Sequence, residues 1–214
     1  MRLIGICGLQ GSGKNTLGEM ITSALAMGSI DIYQKSFAAK LKDTVALMYG
    51  FDREMLEGST SESREQREIV DSYWGVTPRQ ALQDVGVAMR NLDKDFWVKS
   101  LAVDMDFNKY NIITDLRFPN EADFIKDHGG WIIRVVRGEQ PAWSRNPEFK
   151  NVGCTHTVEK AQEIMGAVQL PHESEWRSEC YDFPVDQVIL NNGTMHGLQE
   201  VANAIAEDAN ATLS

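Results

Sequence analysis

The chain has 214 residues, 43% of them hydrophobic and 24% charged, which is enough to bury a full core and fits a single domain, 1–214, with insertions better than two domains. Its net charge of −10 excludes a surface that tracks long nucleic acid, since that needs a basic face, but leaves room for a small phosphorylated ligand held by a few cations. No apolar run approaches a membrane span, no leader precedes the first strand, and the three cysteines Cys7, Cys154 and Cys180 are widely spaced without a Cys-x-x-Cys pair, so a reduced, cytoplasmic, non-membrane protein without disulfides or zinc is expected.

Leu3 to Cys7 reads as a buried strand, and Leu17, Met20, Ile21, Ala24 and Leu25 recur at helical spacing in a helix expected to stop near Gly28. Between them lies Gly8-Leu9-Gln10-Gly11-Ser12-Gly13-Lys14-Asn15-Thr16. Strand, glycine-rich loop and helix start together form the context of a polyphosphate loop: backbone N–H groups point into one concavity, and the helix N-terminus adds the positive end of its dipole. Lys14 would reach the outer phosphates. The usual pattern places Ser or Thr directly after the lysine, to meet magnesium. Here Asn15 stands in that position and Thr16 follows, a form that resembles the loop of adenylate-kinase-like nucleoside monophosphate kinases, so Thr16 is expected to face the phosphates.

A second strand is expected over residues 30–33, then a helix with Leu41, Val45 and Met48 on one stripe, ending at Gly50. Lys40 and Lys42 lie in its first turns, either as surface lysines or near the strand ends where ligands of open sheets bind. Residues 52–76 turn polar and mixed in charge, which reads as an exposed, mobile insertion on the acceptor side whose charges line a solvated helix face. Thr77-Pro78 is a strong helix start. The helix that follows has Ala81, Leu82, Val85 and Met89 on its apolar face and aligns Arg79, Gln83, Gly86 and Arg90 on another. That line is either an ordinary polar face with a packing glycine or a nucleotide contact, in which arginine forks suit phosphate and the amide a base edge.

Phe96, Trp97 and Leu101 read as the core of another helix. Asn111 to Asp115 is a short buried strand ending in an acid, where a polyphosphate-binding enzyme holds magnesium, and Arg117 follows. A helix over residues 120–126 precedes the strand 131–137. Within that strand Arg134 is expected either to pair with an acid or to enter a functional cleft, while Arg137 at its end has the easier functional position. Residues 138–184 are irregular, with a short helix near residues 159–168. A lone His156 reads as surface or capping, and His172-Glu173-Ser174-Glu175 lacks metal-ligand spacing. Residues 188–190 form a last strand, followed by the turn Asn191-Asn192-Gly193-Thr194 and a helix with Leu198, Val201, Ala202 and Ile205 inside.

Taken in order, these motifs resemble the bacteriophage deoxynucleoside monophosphate kinases over nearly the whole chain. The matching stretches are Gly13 to Thr16, Ser36-Phe37-Ala38 followed by Lys42, Thr77-Pro78-Arg79 with Leu82-Gln83 and Gly86, and Trp97-Val98. Asp115-Leu116-Arg117-Phe118-Pro119-Asn120-Glu121, His172-x-Ser174-Glu175 and Asn191-Asn192-Gly193-Thr194 complete the set. Asn15 and Asn192 stand where that family commonly has acids.

The resemblance implies an α/β fold of the P-loop NTPase type, three layers with a five-stranded parallel sheet flanked by helices, and a lid-like region at 138–184. It implies transfer of the γ-phosphoryl group of ATP, with Mg2+, to a deoxynucleoside 5′-monophosphate, in a homodimer located in the host cytoplasm if phage-encoded. On that reading Gly11, Ser12, Gly13, Lys14, Asn15 and Thr16 hold the ATP phosphates, Thr16 and Asp115 place the metal, and Asn191, Asn192 and Gly193 meet the adenine edge. Lys42, Arg79, Arg90 and Arg117 serve the acceptor phosphate and Gln83 its base, Arg137 neutralises the transferring group, and His172 and Glu175 are substrate or lid contacts. A phosphomevalonate or dephospho-coenzyme-A kinase, or a non-catalytic nucleotide-binding module, would use several of the same motifs.

Overall fold

The computed structural model describes residues 2–26 and 31–211, so the expected helix stop at Gly28 and the strand start at Ile30 lie outside the described residues. Two compact units emerge, one made of Met1–Ser36 with Met105–Ser214, the other of Phe37–Asp104.

The first unit is built on the apolar runs foreseen above. Strands β1 (Leu3–Cys7), β2 (Ile32–Lys35), β3 (Tyr110–Ile113), β4 (Trp131–Val136) and β5 (Gln187–Leu190) form one sheet in the order β2-β3-β1-β4-β5. Every pairing is parallel, so each connection must cross over, and helices cover both faces. Helix α1 (Lys14–Ala26) packs beside the C-terminal helix (Met195–Ala211) on one face. There Ile4, Ile6, Leu17, Ile21, Leu25, Ile112, Ile133, Leu198 and Ala202 share one core. The helix Pro119–Asp127 packs against β1 and β4 with Ala122 and Ile125 fully buried. This is the three-layer α/β architecture expected, with its five-stranded parallel sheet.

Residues 138–184 are more ordered than their composition suggests. They contain two 3-10 turns (Pro147–Asn151 and Arg177–Glu179) and two short helices (Val158–Met165 and Glu173–Trp176), and Phe149, Val152, Met165, Trp176, Cys180 and Phe183 are each buried. Burial raises the carboxyl pKa of the half-buried Glu179, and the charge of Arg134 opposes that rise. Arg134 Nη2 donates to the backbone carbonyls of Ser178 and Cys180, because a half-buried guanidinium on a central strand needs acceptors and the overlying turn supplies them. All three cysteines are free and buried, and burial pushes the thiols up, Cys7 and Cys154 to about 11 and Cys180 to about 12.

The second unit is helical: α2 (Ala39–Tyr49), α3 (Arg53–Glu57), α4 (Ser61–Gln66), α5 (Pro78–Leu92) and α6 (Phe96–Ala102). Its core is Val45, Leu56, Ala81 and Val85, with Leu41, Tyr49, Leu82 and Met89 packed around it. Thr77 caps α5 by accepting from the Gln80 N–H, as the Thr-Pro start foretold. The polar stretch 52–76 contains α3 and α4, each with a side-chain cap from Asp52 or Thr60, and it buries Leu56 and Ser63. One expectation, the place of Met48, changes here. Met48 is 57% exposed because the stripe from Leu41 and Val45 continues on Tyr49, four residues on, and not on Met48.

Among the described residues no helix is long and apolar enough to cross a membrane.

Candidate functional site

Because all five strands of the first unit run the same way, the residues that follow each strand gather at one edge of the sheet. Gly8 to Lys14 follow β1, Ser36 follows β2, Asp115 and Arg117 follow β3, Arg137 follows β4 and Asn191 follows β5. The sequence separates them by up to 183 residues, counted from Gly8 to Asn191.

The glycine-rich loop is a backbone structure that side chains would spoil. Gly8 has φ +132 and Gly13 φ +99, both in the region that favours glycine. A Cβ on Gly8 would lie 2.3 Å from the Val135 carbonyl oxygen, and one on Gly13 would lie 2.4 Å from Asn191 Nδ2. The Asn191 amide occupies that space for a purpose, donating to the Ser12 carbonyl at 2.9 Å. Asn192 accepts from the Gly138 N–H at 2.7 Å. Both asparagines therefore bind this edge of the sheet together, and the Asn191 amide nitrogen is already engaged by the loop it was expected to flank.

Helix α1 opens at Lys14 with no acidic residue in its first turn, so the positive end of its dipole is not neutralised from within. Lys14 Nζ folds back over the loop and donates to the Gly8 and Leu9 carbonyls, both at 2.7 Å. Burial first, and the Arg117 guanidinium second, lower its pKa from 10.5 to about 8, with Glu175 and Glu179 opposing the shift. Ser12 Oγ is buried and has no hydrogen-bond partner, a state that costs about 1–3 kcal/mol unless something polar meets it. Asn15 is exposed and Thr16 half-buried in the first helical turn.

Asp115 accepts from Ser36 Oγ at 2.7 Å, which ties the ends of β2 and β3 together. Arg117 Nη1 donates to the Ser174 carbonyl at 3.3 Å and to Glu175 Oε1 at 3.4 Å. His172 accepts from the Ser174 N–H and caps the short helix that carries Glu175. A cavity of about 300 Å³ adjoins the loop, lined by residues 9–12 with Arg137, Glu139, Pro141, Trp143, Pro171 and Glu175. Arg137 and Glu175 thus face the glycine loop across one space. Sequence reasoning gave no role to Ser36, Glu139 or Trp143. Ser36 was visible in the Ser-Phe-Ala stretch, whereas nothing in the local pattern marked the other two.

Thr16, Ser36 and Asp115 offer hydroxyl and carboxylate oxygens, the hard donors that magnesium takes. No group of three or more His, Cys, Asp or Glu side chains that could hold a metal ion occurs among the described residues.

The residues expected to meet an acceptor, Lys42, Arg79, Gln83 and Arg90, all belong to the helical unit. Lys42 donates to Glu57 at 2.6 Å and Arg79 pairs with Glu68. Gly86 is buried, and the space beside it is filled by Leu41 and the Arg90 guanidinium, so it serves packing. Gln83 is half-buried.

Lys14 links the stability of the fold to pH. Its folded pKa lies below the unfolded one, so between about 8 and 10.5 the folded chain binds fewer protons. Stability attributable to Lys14 therefore rises with pH through that window, and below about 8 the burden of the buried charge is fully present. Urea midpoints of the wild type and Lys14→Met, compared below pH about 8 and near 10.5, should show the wild type gaining on the variant at the higher pH.

No protein-family model matches the chain. A solved dephospho-CoA kinase from Campylobacter jejuni covers 97% of this chain, and 96% of its own, at 15% identity and a TM-score of 0.40, a likeness too slight to bear on substrate. A protein of Acanthamoeba polyphaga mimivirus, described as a "Putative deoxynucleotide monophosphate kinase", is 34% identical over 154 residues, spanning 64% of this chain and 75% of that protein. The kinship therefore reaches a virus of amoebae and is not confined to bacteriophages. Identity at that level over three quarters of the relative makes this chain a member of the deoxynucleotide monophosphate kinase family.

Proposed function

We propose that the chain transfers the γ-phosphoryl group of ATP to the 5′-phosphate of a deoxynucleoside monophosphate, releasing ADP and the diphosphate. The observation that carries this reading is the gathering of Lys14, Arg117 and Arg137 with the glycine loop at one sheet edge, three cations assembled beside a backbone that welcomes anions. An acceptor phosphate is ionised at neutral pH and needs no general base, so catalysis reduces to positioning and to stabilising charge.

In this proposal the loop amides and Lys14 hold the β- and γ-phosphates, Ser12 Oγ finds its partner there, and Thr16 and Asp115 hold Mg2+, which neutralises phosphate charge when bound. Arg117 and Arg137 hold the acceptor phosphate and the transferring group. Lys42, Arg79 and Arg90 serve the acceptor by charge and Gln83 serves its base. Residues 138–184 exclude water during transfer.

The test supplies magnesium-ATP with each deoxynucleoside monophosphate in turn and resolves the nucleotides chromatographically. Diphosphate and ADP should appear in equal amounts and only with an acceptor. ADP formed at the same rate without any acceptor, or no diphosphate from any of them, would sink the proposal. Gln83→Ala should raise the acceptor KM about tenfold while the KM for ATP stays within about twofold, as loss of one base contact predicts. Equal loss of both would remove Gln83 from the acceptor side.

A further inference from the structure

We infer that Glu121 is a positioning residue for Arg117. The inference rests on the kinase reading for the role of Arg117, but its geometry stands independently. Glu121 lies in the first turn of the helix Pro119–Asp127 and is only 5% exposed. A carboxylate so buried persists only where hydrogen bonds replace its water. Its Oε2 accepts from two successive backbone donors, the Arg117 N–H at 2.8 Å and the Phe118 N–H at 3.0 Å.

The bond to Phe118 is what an acid at the third helical position ordinarily makes to the residue that begins the helix. The bond to Arg117 is not needed for that purpose. It reaches one residue further back, into the turn that leaves β3. The preceding residue is held from the other side, where the Leu116 N–H donates to the Ile6 carbonyl of β1 at 3.2 Å and its side chain is buried. Three consecutive N–H groups, those of Leu116, Arg117 and Phe118, are thus pinned, and the backbone under Arg117 is fixed relative to the strand that ends in the glycine loop. Pro119 adds stiffness by holding Phe118 in the extended region, φ −111 and ψ 151. The guanidinium stands at the end of a long side chain, so a shift of its backbone carries straight to the phosphate it would hold. Glu121 sets that backbone.

A plain helix cap would stabilise the fold without any special coupling to Arg117, and the experiment separates the two roles. Glu121→Ala should lower kcat/KM for the acceptor about a hundredfold, the penalty of misplacing a binding group by about an ångström. The KM for ATP should hold within about twofold. Glu121→Gln keeps a carbonyl oxygen for both donors and should restore acceptor use to within about fivefold of wild type. In a double-mutant cycle, Glu121→Ala combined with Arg117→Ala should lose no more than Arg117→Ala alone, since the effect passes through that side chain. Additive losses, or equal damage to ATP and acceptor, overturn the inference.

Backbone amide exchange followed by NMR reads the contact without turnover. Exchange at Arg117 and Phe118 should be slow in wild type and Glu121→Gln and faster in Glu121→Ala, and equal exchange in all three overturns the inference. If Glu121→Ala does not fold, Glu121→Asp, one methylene shorter, replaces it and should show the same pattern at about a tenfold loss. A wild-type chain that makes no diphosphate would sink the kinase reading alone, because the exchange measurement still decides whether Glu121 holds the turn.

Discussion

Lys14→Met should reduce phosphoryl transfer about a thousandfold while the protein stays folded, a loss in the range seen when one preorganised charge is removed from a transition state. The ammonium sits between two carbonyls of its own loop, at 2.7 Å from each, and is buried next to the Arg117 guanidinium. Two like charges held close in a sheltered place are poised for an anion. Burial and the neighbouring Arg117 charge lower Lys14 to about 8, so the charged form is disfavoured at this place. A polyphosphate would reverse that balance, drawing the ammonium from the carbonyls and raising its pKa. Methionine matches the length of the side chain without the charge, so the variant separates charge from packing. Single-turnover kinetics check the loss, and circular dichroism checks the fold. A variant that turns over within about tenfold of wild type would show that the lysine does not meet the reacting phosphate.

Gly8→Ala should destabilise the protein by on the order of 3 kcal/mol, because strain and collision act at one atom. The backbone there has φ +132, and the new Cβ would stand 2.3 Å from the Val135 carbonyl oxygen, a main-chain atom of β4 with little freedom to withdraw. Gly11→Ala is the control: φ is +79 but nothing lies within 4 Å of the added carbon. Its penalty should be the backbone strain alone, about 1 kcal/mol. Urea denaturation of the two variants measures the difference. Equal losses would mean that the loop is free to move away from β4, and that the tight approach is not what requires glycine at position 8.

The helical and strand segments were legible because their apolar residues recur at the right intervals. Leu17, Ile21 and Leu25 fall on one side of a helix whatever they pack against, and Leu3 to Cys7 have no polar face to show to water. The Thr77-Pro78 start of α5 was legible for a local reason as well, since the cap bond spans three residues. Local pattern failed where a segment's partners are distant. Residues 138–184 looked irregular because Phe149, Trp176 and Phe183 are buried from separate short turns, with no apolar period to join them. Arg134 looked like a charge in need of a partner, and its partners, two carbonyls and the charge of Glu179, lie 44 to 46 residues away.

The glycine loop, its lysine and the acid at the end of β3 could be named from the chain alone, since each depends on residues within a few positions of it. Tertiary structure decided what those groups face. Asn191 turns its amide to the Ser12 carbonyl across 179 residues, Ser36 reaches Asp115 across 79, and Arg117 meets Glu175 across 58. None of these pairs has a spacing that a linear pattern can carry, because the first two join strand ends that the parallel sheet delivers to one edge and the third joins such an end to the short helix Glu173–Trp176. Local chemistry specifies which groups can bind phosphate, and the order of strands in the sheet specifies which of them meet.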